Sequence, residues 1–317
     1  MTTDDIAVVL DCAALAPSVH NTQPWQMRTE GDLIELRADR SRQLGYLDPT
    51  GRQLHVSCGA AIEFGYLAAR STGRECAVSL LPDPSDPDLL AVLWLGDNRA
   101  PTPTERDLAE AIALRYTDRG PYSDRAVPDD VIADIARRAA ELDVWTRTLD
   151  EAAERRTLIS VLYDAEQAEA ADPRYANELA EWTGTEGHVG LPADSIASRW
   201  PADRVSQVPL RDFSGHAEHP SPNGQADEPP PTVERDLLLM FGTAVDERGS
   251  WLAAGRALGW ALLRAASVGV SAQPLGPAID LPVERARLRY ELGLVGFPQF
   301  VLRMGYGQDR PRTRRQH

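Results

Sequence analysis

The segment APSVHNTQPWQM (Ala16–Met27) joins an apolar run with helical spacing, Ile6–Leu15, to a strand that begins at Trp25. Pro17 ends that helix, because a residue that precedes proline is displaced from helical backbone angles. The loop brings Pro, Ser, His, Asn, Thr and Gln together within a few positions. It is therefore either an ordinary connection or a set of groups gathered to hold a ligand, and the rest of the sequence must decide.

Helices and strands alternate on both sides of this loop. WQMRTEGDLIELRAD (25–39) alternates around a Glu-Gly-Asp turn and predicts a hairpin. A long helix is expected after Asp48, which would cap it with Pro49 in its first turn, and Gly73 would end it. ECAVSLLPDPSDPDLLAVLWLG (75–96) predicts two further strands around a Pro/Asp turn.

The second part of the chain repeats this alternation. DNRAPTPTERD (97–107) has the prolines and charges of a boundary, which divides the chain into residues 1–100 and 101–317. Beyond it we expect helices near 105–114, from Pro128, across 149–182 and up to Gly269, with strands at 236–245 and 298–307. The pattern predicts an α+β layered fold that is built twice, rather than one doubly wound sheet.

Residues 184–234 differ from the rest because they are rich in Gly, Pro, Ser and His and show little periodicity. So long a stretch without structural pattern is a functional lid or a plain insertion, and both interpretations stay open. His216 and His219 lie within it, but no matching carboxylates or thiols accompany them, so we expect no metal site.

Composition limits the function classes. The 317 residues carry a net charge of -15, which disfavours a nucleic-acid partner. All 33 basic residues are arginine, so a phosphate would have to be held by guanidinium groups or backbone N–H groups. The three cysteines form no CxxC pair, the N-terminus is acidic, and no apolar run reaches the roughly 18 residues of a membrane span. These features predict a cytoplasmic protein without a membrane segment.

Two common nucleotide motifs are missing and a hydrolase is weakly supported. No GxGxxG follows a strand, and the sequence contains no Walker A loop. Ser18 and His20 are too close together on an extended loop to form the usual pair of nucleophile and base.

Three segments together resemble the flavin-binding elements of the nitroreductase family. They are APSVHNTQPW (16–25), RYTDRGPYSDRAVP (115–128) and GVSAQPLGP (269–277), with the arginine-rich tail RPRTRRQH (310–317) beyond them. DPTGRQLHVSCG (48–59) and FPQFVLRMGY (297–306) are similar to the dormancy-associated, Acg-like branch. In that branch two half-copies in one chain build a composite site, and each half supplies part of it.

The resemblance implies FMN as the cofactor and assigns candidate contacts. Pro17 and Val19 would form an apolar wall, while Ser18, His20 and Asn21 would bond the flavin ring or the ribityl chain. Backbone groups at Pro274, Leu275 and Gly276 would approach the reactive ring nitrogen. The remaining candidates would neutralise or bond the phosphate: Arg115, Thr117, Arg119, Arg314 and Arg315. Each has a plainer alternative, since the Arg-x-Thr-x-Arg run and the tail could be solvated and His20 could be a satisfied loop histidine.

Two functions follow from the resemblance. The first is an oxidoreductase that passes hydride from NAD(P)H through FMN to a small aromatic, nitro, quinone or enone substrate. The alternative is an FMN-binding or storage protein whose flavin is covered by a lid and does not turn over. No side chain need act as a catalytic acid or base, and the chain would be a monomer with an internal pseudo-dimer or a homodimer.

Overall fold

A computed structural model describes residues 3–183, 189–191, 208 and 235–307. Its helices are α1 Thr3–Ala14, α2 Arg52–Ser71, α3 Pro103–Leu114, α4 Asp129–Glu141, α5 Ala152–Ala171, α6 Pro173–Glu181, α7 Arg248–Ser267, α8 Pro277–Asp280 and α9 Pro282–Glu291. Its strands are β1 Trp25–Glu30, β2 Leu33–Ala38, β3 Arg74–Leu80, β4 Leu89–Asn98, β5 Val144–Thr148, β6 Leu237–Thr243, β7 Ser271–Leu275 and β8 Phe297–Gly305. Helices and strands thus alternate as the sequence predicts.

The strands form two antiparallel sheets with the same internal order. The first sheet runs β1-β2-β4-β3 and the second runs β5-β6-β8-β7. A long helix follows the second strand of each sheet along the chain: α2 connects β2 to β3, and α7 connects β6 to β7. A helix also precedes the first strand of each sheet, α1 before β1 and α4 before β5. This repeat confirms the expectation of an α+β fold that is built twice.

The two connecting helices pack against each other at the centre of the molecule. Both contain 20 residues, begin at an arginine, end at a serine and carry glycine at the same position, Gly59 in α2 and Gly255 in α7. A Cβ added to either glycine would lie 2.8 Å from the Cα of the other. It would also collide with a carbonyl of the opposite helix, that of Leu252 for Gly59 and that of Val56 for Gly255. The contact is reciprocal, as a pseudo-twofold relation requires.

The interface between the halves also holds a buried charge cluster. The carboxylate of Glu63 in α2 is fully buried and accepts bonds from Arg138 of α4 at 2.6 Å and Arg256 of α7 at 2.8 Å. Gly259 occupies the matching position of α7, and a Cβ there would lie 3.3 Å from that of Glu63. The glycine leaves the space that the glutamate occupies. Apolar side chains from both sheets surround this interface and form one continuous core.

The halves differ in the connection that leads from the first helix to the first strand. Between α1 and β1 the chain makes the loop 15–24, whereas only residues 142 and 143 separate α4 from β5. The pseudo-twofold relation between the halves therefore does not extend to the polar loop 15–24 of the first half. Among the described residues, no helix has the length and apolar character that a membrane crossing needs.

Several local predictions require correction. Helix α2 begins at Arg52 with Gly51 as its N-cap, rather than at Asp48 and Pro49. Asp48 still satisfies the helix N-terminus, because its carboxylate accepts the N–H groups of Gln53 and Leu54 at 2.9 and 2.8 Å. The structure also contains two strands that were not predicted, β5 and β7. Both strands have only 5 residues, too few to show a clear alternation.

We expect Gly59→Ala and Gly255→Ala each to lower the free energy of unfolding by about 3 kcal/mol or more, because the added methyl meets backbone that cannot rotate away. Gly249→Ala is the control, since the nearest atom to its added Cβ is 3.9 Å away on a leucine side chain. That change should alter stability by less than about 1 kcal/mol. Denaturant unfolding of the three variants measures the difference, and equal stabilities would contradict the close approach of the helices.

The stability of the protein should also fall in acid through His55. This ring is buried, its Nδ1 lies 2.6 Å from the Gly51 carbonyl, and burial lowers its pKa to about 4. A histidine has a pKa of about 6.5 in the unfolded chain, and above that pH the contribution of His55 to stability is fully present. The contribution is lost as the pH falls from there towards the folded pKa of about 4. Between pH 7 and 4, wild type should lose about 3 kcal/mol relative to His55→Gln in denaturant unfolding. Parallel pH profiles for the two proteins would rule out this cause.

Candidate functional site

A cleft lies where the two halves meet. Its unfilled space is about 1030 Å³, including the solvent at its mouth, and it is lined by residues of both halves. Apolar groups form much of its wall, with a few polar side chains among them, which is the usual composition of a small-molecule site. The lining residues comprise Pro17, Ser18, Val19, His20, Gln53, Val56, Ser57, Thr117, Arg119, Leu162, Glu166, Leu258, Gln273, Pro274, Leu275, Gly276, Pro277, Ile279, Asp280, Gln299 and Phe300.

The loop after α1 reaches this cleft in a strained backbone conformation. His20, Asn21 and Gln23 have φ values of 46°, 54° and 48°, in the left-handed region that non-glycine residues seldom occupy. The hydroxyl of Ser18 holds the turn by accepting the N–H of Gln23 at 2.9 Å. Strain of this kind persists where the surrounding structure enforces it, and it concentrates at binding and catalytic sites.

Neighbouring elements enforce that conformation. The N–H of Val19 donates to the Ser57 hydroxyl of α2 at 3.3 Å. At the far end of the loop, the thiol of Cys58 donates to the Pro24 carbonyl at 3.3 Å and Arg42 donates to the Gln23 carbonyl at 3.1 Å. The central helix α2 therefore fixes the position of the loop relative to the second half.

The mid-chain loop brings Thr117 and Arg119 to the lining of the same cleft. Thr117 pairs with Ala272 at the outer edge of β7. Asp118 accepts the Gly120 N–H at 2.9 Å, and the Tyr122 hydroxyl donates to the Asp118 carbonyl at 2.9 Å. Burial raises the pKa of Tyr122, which keeps its hydroxyl protonated as a donor. The loop is therefore a tightly bonded turn rather than a solvated segment.

The end of β7 and the start of α8 also line the cleft. β7 is an edge strand that pairs with β8 on one side only. Pro274 lies within it, where a missing N–H is tolerated at a sheet edge. Beyond the Thr117–Ala272 bridge, no described strand pairs with the outer edge of β7. Pro274 to Pro277, at the end of this strand and just beyond it, line the cleft.

Buried arginines tie the base of the cleft to both halves. Arg52, from the first-half helix α2, bonds the Asp280 carboxylate at 2.8 Å and the Ile279 and Gln299 carbonyls at 3.0 and 2.8 Å. Burial lowers the pKa of Arg52, while the charge of Asp280 opposes that effect. The amide of Gln299 is in turn bonded to Thr243, Asp246 and Arg285. These bonds hold the base of the cleft rigid.

Most of the sequence-predicted candidates meet at this cleft. The structure places nine of them along its lining: Pro17, Ser18, Val19, His20, Thr117, Arg119, Pro274, Leu275 and Gly276. Asn21 does not belong to the lining and instead bonds Gly190. Its side-chain amide donates to the Gly190 carbonyl at 2.9 Å, and its backbone carbonyl accepts the Gly190 N–H at 3.0 Å. Arg314 and Arg315 lie outside the described residues, as does most of the segment 184–234.

Arg115 departs from the predicted arrangement. The alternating spacing predicts that it points the same way as Thr117 and Arg119, but it does not belong to the lining of the cleft. It is the C-cap of α3, where its N–H donates to the Ala111 carbonyl at 2.9 Å, and its side chain is buried. α3 ends at Leu114, as expected, and the backbone of Arg115 is extended (φ -66°, ψ 132°), but its side chain is buried outside the lining.

Sequence reasoning missed the polar residues that reach the cleft from regular elements. Gln53 and Ser57 come from α2, Glu166 from α5 and Gln273 from β7. Each is an ordinary polar residue within a helix or strand pattern, and only the packing of the two halves directs it inward. Among the described residues, no group of three or more histidine, cysteine or acidic side chains is arranged to hold a metal ion. His216 and His219 lie outside the described residues.

Known proteins resemble this chain along nearly its whole length. No family model matches it. "Putative NAD(P)H nitroreductase Rv3131" of Mycobacterium tuberculosis H37Rv is 33% identical over 305 residues, which span 96% of this chain and 85% of that protein. "Putative NAD(P)H nitroreductase acg" of the same organism is 31% identical over 313 residues, spanning 98% and 91%. "Uncharacterized protein Rv3127", also from that organism, is 30% identical over 305 residues, spanning 94% and 85%.

The matches to solved structures are more distant. A nitroreductase with bound FMN from Bacteroides fragilis is 16% identical, with a TM-score of 0.38, and the match covers 65% of this chain and 93% of that one. NfrA2 of B. megaterium is 15% identical, with a TM-score of 0.36 and coverage of 65% and 70%. The assignment rests on the mycobacterial relatives: the chain belongs to the nitroreductase family and is related to Acg.

Proposed function

We propose that this protein binds FMN in the cleft between its halves and is an NAD(P)H-dependent oxidoreductase that acts on a small nitro, aromatic, quinone or enone substrate. The observation that carries the proposal is the meeting of the loop 17–20, Thr117 with Arg119, and the segment 274–277 around one cleft. These segments are far apart in sequence, and each was selected from the sequence as a flavin contact. The family relationship supports the proposal as well, because two relatives carry the name "Putative NAD(P)H nitroreductase".

The residues of the cleft fit the chemical requirements of FMN. Pro17, Val19 and Leu258 supply apolar surface for the ring system. Arg119 supplies the cation that a phosphate needs in a chain without lysine, and the Thr117 hydroxyl adds a hydrogen-bonding group.

When bound, FMN supplies the hydride and electron transfer, and the protein supplies position and access. The strained loop 18–23 holds Ser18 and His20 at the cleft, so these polar groups need little reorganisation when a ligand enters. The outer backbone of β7 can donate or accept hydrogen bonds beside them. We further propose that the functional halves divide near residue 100, because β4 ends at Asn98 and α3 begins at Pro103.

The first test is binding and reduction of the cofactor. We expect one FMN per chain, because the loop 15–24 has only the short turn 142–143 as its counterpart in the second half. Titration of flavin-depleted protein with FMN, followed by absorbance and fluorescence, measures the stoichiometry. NADH or NADPH should then bleach the flavin band without oxygen, and a nitroaromatic or a quinone should restore it. A protein that binds no FMN would refute the proposal, and bleaching by dithionite alone would favour a storage role.

The second test removes the proposed phosphate partner. Arg119→Ala should weaken FMN binding by about 10–100-fold, because a charge-assisted hydrogen bond contributes about 1.5–3 kcal/mol and about 1.4 kcal/mol corresponds to tenfold. Riboflavin, which lacks the phosphate, should bind both proteins equally. Arg137→Ala is the matched control, since that side chain lies on α4 and is 59% exposed. Unchanged FMN affinity in Arg119→Ala would contradict the assignment of this residue.

A further inference from the structure

Gln273 reaches the cleft with its amide held in one orientation. It lies in β7, is only 3% exposed and belongs to the lining. Its Oε1 accepts a hydrogen bond from Nη1 of Arg303 at 3.2 Å. Because a guanidinium group can only donate, the amide oxygen must be the atom that faces it. The amide nitrogen of Gln273 is therefore directed away from Arg303.

Arg303 is itself fixed on several sides. It is fully buried in β8, and its Nε donates to the Asp236 carboxylate at 3.0 Å. Its Nη1 also donates to the Gly120 carbonyl at 3.0 Å, and its guanidinium lies 4.1 Å from the centre of the Tyr122 ring. One immobile cation therefore contacts the mid-chain loop and Gln273 together. A rotation of the Gln273 amide would place its N–H groups against this cation, so the orientation is enforced.

The Nε2 atom of Gln273 donates no hydrogen bond to any residue in the described part of the chain. The bond to Arg303 engages only the amide oxygen. An unbonded Nε2 atom that was fully buried would count among the buried polar atoms without a partner. It does not, so Nε2 keeps some exposure to solvent. Since the residue is nearly buried and borders the cleft, the small exposed part of its amide faces the cleft. The side chain thus presents an N–H donor between the loop at Arg119 and the segment at Pro274.

We propose that Gln273 donates a hydrogen bond to an oxygen of the bound FMN, and that Arg303 is the positioning residue that fixes this donor. The inference rests on the proposed FMN site and extends it to a residue that the sequence did not single out. The acceptor is a ring carbonyl oxygen or a ribityl oxygen, because both can accept a hydrogen bond from a neutral amide.

Gln273→Glu is the sharpest test, because the side chain keeps its shape and its acceptor for Arg303 but loses the donor. FMN affinity should fall at least about tenfold, which corresponds to about 1.4 kcal/mol. Gln273→Met removes the donor without adding charge and should lower affinity by a smaller factor in the same direction. Gln167→Glu, at an exposed position of α5, is the control for the added charge and should bind like wild type. Thermal unfolding without FMN shows whether each variant is folded.

Spectroscopy then identifies the acceptor. A bond to a ring carbonyl predicts that Gln273→Glu shifts the visible flavin bands and makes the midpoint potential more negative. A bond to the ribityl chain predicts weaker binding with unchanged bands and potential. Arg303→Lys keeps a positive charge beside Asp236 but loses the planar fork, so it should reproduce the direction of the Gln273→Met effects.

The outcomes separate this inference from the proposed function. If wild type and Gln167→Glu bind FMN, while folded Gln273→Glu and Gln273→Met bind it within twofold of wild type with unchanged spectra, the role of Gln273 is refuted and the FMN site stands. If wild type itself binds no FMN, the proposed function fails and the role of Gln273 fails with it.

Discussion

The close approach of α2 and α7 at Gly59 and Gly255 determines how the rest of the protein is arranged. Neither position can carry a side chain, since a Cβ on either glycine would lie only 2.8 Å from the Cα of the other. Because each helix connects the second and third strands of its own sheet, this contact sets the position of one half relative to the other. The cleft depends on that position, since its walls come from both halves. Two residues of α2 connect this helix to the cleft. Ser57 bonds the loop after α1, and Arg52 bonds the base of the cleft.

Repetition of the fold has been combined with specialisation of its parts. Glu63 in α2 faces Gly259 in α7, so only one of two matching positions bears a charge, and Arg138 and Arg256 compensate it from the second half. The long loop belongs to the first half, while the mid-chain loop and the segment 274–277 belong to the second. Each half has kept the elements that pack the core, and the two divide between them those that line the cleft.

Much of this could be predicted from the sequence because the evidence is local. Prolines and glycines mark the ends of α1 and of α2, and alternation marks the β1–β2 hairpin. The segments around Ser18, Arg119 and Leu275 could be selected because their residues recur in a flavin-binding family. Arg115 was misplaced because its alternation with Thr117 and Arg119 does not show that its side chain is buried outside the lining of the cleft. Gln273 gave no signal, since its importance comes from Arg303, a residue 30 positions away along the chain.

The presence of both halves in one polypeptide has a consequence for dilute protein. A site shared between two identical subunits exists only while they are associated, and at low concentration it is lost by dissociation. Here Ser18 and Arg119 are joined by the same backbone, so their encounter is unimolecular and their effective concentration is set by the chain. The cleft should therefore remain assembled at concentrations where a two-subunit site would separate.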